Sequence, residues 1–175
     1  METYIAILRG INVSGQKMIK MDDLKKHLQE LPFKNIRTYI QSGNIIFEHV
    51  KAEHAGLAEQ IENKITQKFG FQVPVIVRSC ADLNQIINNN PFKEDTEKLY
   101  VIFLSELLQP KNIEKLMKIE KTTEQFYLFE DVIYLLCLAG YGKAKLNNNF
   151  FEQKLKVMAT TRNWNTVIKL TEMSQ

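Results

Sequence analysis

Tyr4-Ile5-Ala6-Ile7-Leu8 and Val73-Pro74-Val75-Ile76-Val77 are strand-length runs with no polar side chain on either face. A strand of an open antiparallel sheet alternates apolar and polar residues, because one of its faces meets water. Runs that are apolar on both faces need cover on both. Helices supply one cover. The C-terminal half of the chain is the nearest candidate for the other. A second subunit, giving a homodimer, is the alternative.

The residues between these runs set the order of elements. Asp22 opens a helix with Leu24, Leu28 and Leu31 at helical spacing, and Pro32 closes it. Residues 36–40 form a second strand, Ser42-Gly43 a tight turn and residues 45–47 a third strand. Leu57, Ile61, Ile65 and Phe69 recur every four residues, so a helix fills that stretch, and Gly70 ends it as a left-handed cap. The order β-α-β-β-α-β predicts a ferredoxin-like (α/β-plait) unit, an antiparallel sheet with two helices on one face, over residues 1–79.

Residues 80–175 follow a related pattern. A helix around residues 81–89 breaks at Asn90-Pro91-Phe92, and residues 99–104 form a strand. Pro110 suits the first position of a helix carrying Ile113, Leu116 and Met117. Residues 125–129 and 132–138 read as a hairpin turning at Glu130-Asp131. Residues 146–158 read as helix, and Asn163 caps a last helix with Trp164, Val167, Ile168 and Leu170. This half is expected to be an incomplete βαββα copy of the first unit plus a C-terminal helix. The expected fold class is α+β, two linked ferredoxin-like units.

Several functions are disfavoured. A net charge of +3 with interspersed signs marks neither a nucleic-acid nor a membrane binder. Only Tyr4 and Phe47 put aromatics on the first and third strands, against the stacking platform of an RNA-recognition sheet. No apolar run is long enough to span a bilayer, and the first residues lack a secretory pattern. A cytoplasmic protein with Cys80 and Cys137 reduced is expected. His27, His49 and His54 have no metal-ligand spacing. No Gly-x-Ser-x-Gly elbow appears, and Gly140-Tyr141-Gly142-Lys143-Ala144 lacks the hydroxyl of a Walker A loop. No catalytic residue, metal or cofactor is therefore nominated, and no residue demands an enzyme.

The fold itself points to a site. In a β-α-β-β-α-β unit the end of the first strand, the hairpin between strands two and three and the start of the first helix share one sheet edge. Arg9-Gly10-Ile11-Asn12, residues 17–20 and Gln41-Ser42-Gly43-Asn44 converge there, with Gly70-Phe71. Arg9, Lys17 and Lys20 favour an anionic ligand; Asp22 and Asp23 oppose one. The candidate ligand-binding residues are Arg9, Asn12, Lys17, Gln41 and Asn44, with Lys143, Arg162 and Asn163 from the second half. The same residues also read as well-made turns and helix caps. A module that binds protein or nucleic acid without catalysis is the alternative to a small-ligand site.

Leu8-Arg9-Gly10-Ile11-Asn12-Val13, residues 37–44, Asn90-Pro91-Phe92, the glycine loop at 140–146 and Thr161-Arg162-Asn163-Trp164-Asn165-Thr166 resemble, in order, motifs of the bacterial family known as domain of unknown function 1697. The resemblance spans nearly the whole chain. It implies two linked α/β-plait domains and brings no established activity. Ser14 stands where that family usually has glycine, and Lys143-Ala144 where it has Arg-Ser. The second departure keeps a charge and loses a hydroxyl.

Overall fold

A computed structural model describes residues 1–120 and 123–175. The chain divides into two units, residues 1–84 with 169–175, and residues 85–168. The first contains β1 (Glu2–Leu8), α1 (Met21–Leu28), β2 (Lys34–Tyr39), β3 (Asn44–His49), α2 (His54–Phe69) and β4 (Val75–Ser79), and α3 (Cys80–Asn88) follows. The sheet order is β2-β3-β1-β4 with every neighbouring pair antiparallel, as a ferredoxin-like unit requires.

Helical spacing explains how the core closes. Leu24 and Leu28 of α1 and Leu57, Ile61 and Ile65 of α2 pack on Tyr4, Ala6, Leu8, Ile45 and Phe47. Ile5, Ile7, Ile46 and Ile76, on the opposite face, are buried as well. Gly70 ends α2 in the left-handed conformation (φ 80°), its N–H donating to Thr66 O at 3.0 Å.

Glu30, just beyond α1, faces Lys68 (3.0 Å) and Lys64 (3.2 Å) of α2 and His27 (3.3 Å). The Lys68 ammonium, then His27 and Lys64, hold its carboxyl down at about 2. A depressed carboxyl pKa stabilises the fold above the ordinary value near 4.5, and the contribution disappears as pH falls toward 2. The melting temperature of E30Q should lie below that of the parent at about pH 6, and the gap should close between pH 4.5 and 2. Because Glu30 is exposed, about 0.5 M salt should narrow the gap at neutral pH.

The second unit contains β5 (Leu99–Leu104), α4 (Pro110–Met117), β6 (Glu124–Phe129), β7 (Val132–Cys137), α5 (Asn148–Leu155) and β8 (Ala159–Asn163), and α6 (Trp164–Ser174) follows. Its sheet order, β6-β7-β5-β8, repeats the first. The unit is thus a complete βαββαβ, where the sequence suggested a missing fourth strand and a helix over residues 146–158. α5 is shorter than that. Asn147 caps it by accepting from Phe150 N (3.0 Å), and Lys156 ends it in the left-handed conformation (φ 57°). The next residues, Ala159-Thr160-Thr161-Arg162-Asn163, pair with β5. They hold no apolar run because this strand buries Thr160 and Arg162.

Both cysteines are free. Burial, aided by the Glu124 charge, pushes the Cys137 thiol up to about 11. Among the described residues no helix is long and apolar enough to cross a membrane.

Candidate functional site

The end of β1 is gripped from both sides. Leu8 N donates to Gly43 O and Arg9 N to Pro74 O, both at 2.9 Å. The chain then coils through residues 10–17 with left-handed backbone at Gly10 (φ 69°), Asn12 (55°), Ser14 (51°), Gly15 (72°) and Lys17 (46°). Glycine adopts that conformation freely, and asparagine tolerates it better than most residues.

Asn12 is the brace of this loop. Its Nδ2 donates to Ile19 O (2.9 Å) and to Gln41 O (2.8 Å), and its Oδ1 accepts from Ile19 N (2.8 Å). One side chain thereby closes the loop and ties it to the β2–β3 hairpin. Lys17 Nζ donates to Gln72 O (2.7 Å), bringing the segment after α2 to the same edge. Asn44 is fully buried, and its Nδ2 donates to Tyr39 O (3.0 Å) and Ser42 Oγ (3.2 Å) within the hairpin. Ile40 in that hairpin is left-handed (φ 51°) and 46% exposed, a strained setting for a β-branched residue.

A cleft of about 420 Å³ opens beside this brace, lined by Asn12, Met18, Lys20, Asp23, Gln41 and Phe69 among others. Of the five candidates in this unit, Asn12 and Gln41 line it; Arg9, Lys17 and Asn44 do not. Lys20 and Asp23 bring opposite charges to the same walls.

In the second unit Lys143 sits exposed in a single turn, Tyr141–Lys143, with its N–H on Gly140 O (3.2 Å). Arg162 is buried, and its Nη1 donates to Thr160 Oγ1 (3.1 Å) and Thr161 O (2.8 Å). Burial lowers its pKa to about 10, so it keeps its proton at neutral pH. Asn163 caps α6, its Oδ1 accepting from Thr166 N (2.8 Å). Arg162 has a counterpart. Arg78 of β4 is also buried, also immediately precedes the residue that caps the next helix, and donates to Val77 O (2.9 Å).

The family model described as protein of unknown function (DUF1697) matches residues 1–134. The chain belongs to this family. The match takes in the 9–20 loop and the 40–44 hairpin of this DUF1697 protein and stops short of Lys143, Arg162 and Asn163. The solved structure of conserved bacterial protein SP0830 from Streptococcus pneumoniae is similar in fold, with a TM-score of 0.80, 24% identity and 99% of each chain covered. No curated protein matches the chain.

The sequence of this DUF1697 protein places Lys20 at this edge as positive charge and Asp23 as an opposing one, but neither they nor Met18 and Phe69 stand among the candidate binding residues, and all four line the cleft. Lys20 and Asp23 flank the start of α1, which was the available signal. A second polar cluster was missed altogether. Tyr4 Oη donates to Glu2 Oε2 (2.8 Å) and accepts from Ala52 N (3.2 Å), while His54 Nε2 lies 3.8 Å from Asp82 Oδ2. Asp82 accepts from Ser79 N (2.7 Å) and Ser79 Oγ accepts from Asp82 N (3.1 Å), a reciprocal cap of α3. Among the described residues, no three His, Cys, Asp or Glu side chains are grouped to hold a metal ion.

Proposed function

We propose that this is a cytoplasmic protein that binds a small polar ligand at the end of the first sheet, in the cleft beside Asn12. The observation that carries this reading is how the polar groups there are used. Asn12 spends its amide on fixing the loop and hairpin. The side chains of Lys20 and Gln41, both exposed, spend no hydrogen bond on another described residue and face the cleft. A rigid frame with uncommitted polar groups on its wall suits ligand binding better than turn-making. Lys20 selects an anionic group on the ligand, and Asp23, on the same wall, selects a hydrogen-bond donor. The two free thiols support a reducing compartment.

A thermal-shift screen against nucleotides, sugar phosphates and carboxylates tests the proposal. A ligand at a hundredfold excess over its Kd should stabilise the protein by about 2.7 kcal/mol. K20A and Q41A should leave the ligand-free melting temperature unchanged and abolish the shift. A screen with no shift, or a shift that survives both substitutions, defeats the proposal.

A further inference from the structure

The two units share one strand order, so their edge strands can be compared position by position. β2, the outer strand of the first sheet, is guarded. Its pairing with β3 is interrupted between Lys34 and Arg37, Asn35 is left-handed (φ 51°), and Lys34, Asn35 and Arg37 are exposed. Bulges and outward charges of this kind keep an edge from pairing with another chain. β6, its counterpart, has none of these devices. Glu124-Gln125-Phe126-Tyr127-Leu128-Phe129 pairs with β7 in unbroken register and contains no lysine, arginine or proline. Its single charge, Glu124, is buried and accepts from Lys145 N at 3.0 Å.

The outer side of β6 is also ready to pair. Residues flanking a two-residue hairpin loop form a hydrogen-bonded pair, here Phe129 with Val132, so alternate residues Glu124, Phe126 and Leu128 turn their N–H and C=O groups outward. Those of Phe126 and Leu128 meet no other backbone group among the described residues. Alongside runs a groove of about 760 Å³ lined by Phe92, Leu116, Met117, Ile119, Phe126 and Leu128 among others. Met117 is 74% exposed and Tyr127 50%.

We propose that β6 is the seam through which two copies of this chain pair, their second sheets continuing into one another across a twofold axis. The strand is its own best complement. Antiparallel self-pairing with Phe126 opposite Phe126 uses the outward backbone groups on both sides. It sets Gln125 opposite Tyr127 and Glu124 opposite Leu128, so no like charges meet. A groove lined by Phe126 and Leu128 receives a strand that offers the same alternation.

The test is mass in solution by light scattering on the full chain at about 100 µM, which populates a dimer of micromolar affinity. The parent should run at twice 20.4 kDa. Q125K/Y127K places lysine opposite lysine at two symmetric positions and should weaken the dimer about tenfold or more. Q125K/Y127E places opposite charges there and should restore it. M117K, on an exposed α4 position, should weaken the dimer without disturbing the fold, as circular dichroism would show. A monomeric parent, a Q125K/Y127K dimer of undiminished affinity, or a Q125K/Y127E variant no tighter than the double lysine each overturns the proposal. So does an M117K variant that dimerises like the parent.

Discussion

Gly43→Ala is expected to destabilise the first unit by about 2–5 kcal/mol, adding a left-handed backbone penalty to an overpacking cost. Gly43 has φ 85°, and a Cβ there would lie 2.7 Å from Ile11 Cδ1 and 2.8 Å from Leu8 Cβ. The isoleucine tip can swing aside. Leu8 Cβ cannot, because it is fixed to a β1 backbone whose N–H is bonded to Gly43 itself. Gly10→Ala supplies the control. Gly10 is also left-handed (φ 69°), but nothing lies within 4 Å of its missing Cβ. That variant should lose only the backbone part, about 1–2 kcal/mol. Thermal or denaturant unfolding of the two variants measures the difference, and equal losses would show that the close approach at Gly43 is unimportant.

N12D is the second large effect. Asparagine and aspartate both tolerate the left-handed backbone at position 12, so the change leaves local conformation comparable. The hydrogen bonding is not comparable. The amide nitrogen that donates to Ile19 O and Gln41 O becomes an oxygen, and a carboxylate then faces two carbonyls. Losing both donated bonds and gaining that repulsion should cost about 2–4 kcal/mol near neutral pH. The environment disfavours the charged form, which raises the folded-state pKa of the new carboxyl above its unfolded value. The deficit is therefore fully present above the raised value and shrinks as pH falls through it toward about 3.9. N12A has no titrating group, so its deficit should not follow that course. Melting temperatures of both variants between pH 7 and 3.5 would separate the two behaviours.

The sequence made much of this architecture legible, and the exceptions have a common cause. The strands of the first unit announce themselves because β1, β3 and β4 bury apolar residues in succession. Gly70, Pro110 and Asn163 sit where helix-end chemistry requires them. β8 was invisible because, beside the small Ala159, its buried positions are a threonine and an arginine, residues whose usual place is the surface. At the first sheet edge, strand order alone pointed to residues 9–12 and 17–20, the hairpin and Gly70-Phe71 as neighbours; Asn12 bonds Gln41 of the hairpin, and Lys17 bonds Gln72, the residue after that pair. The division of labour within that edge was not legible. Asn12 and Asn44 look like ligand-binding amides in sequence, yet their donors go to backbone and hairpin partners. Which polar group is spent and which is left over depends on distances of a few ångströms, and residue spacing does not encode them.

The matched strand orders of the two units, β2-β3-β1-β4 and β6-β7-β5-β8, make the chain its own reference molecule. Every strand of one half has a counterpart with the same neighbours and the same relative direction. What the counterparts share, such as a buried arginine ahead of a helix cap, belongs to the architecture. What they do not share is particular to one half. The 16-residue α2 beside the 8-residue α5, and the bulged β2 beside the unbroken β6, are differences of that second kind.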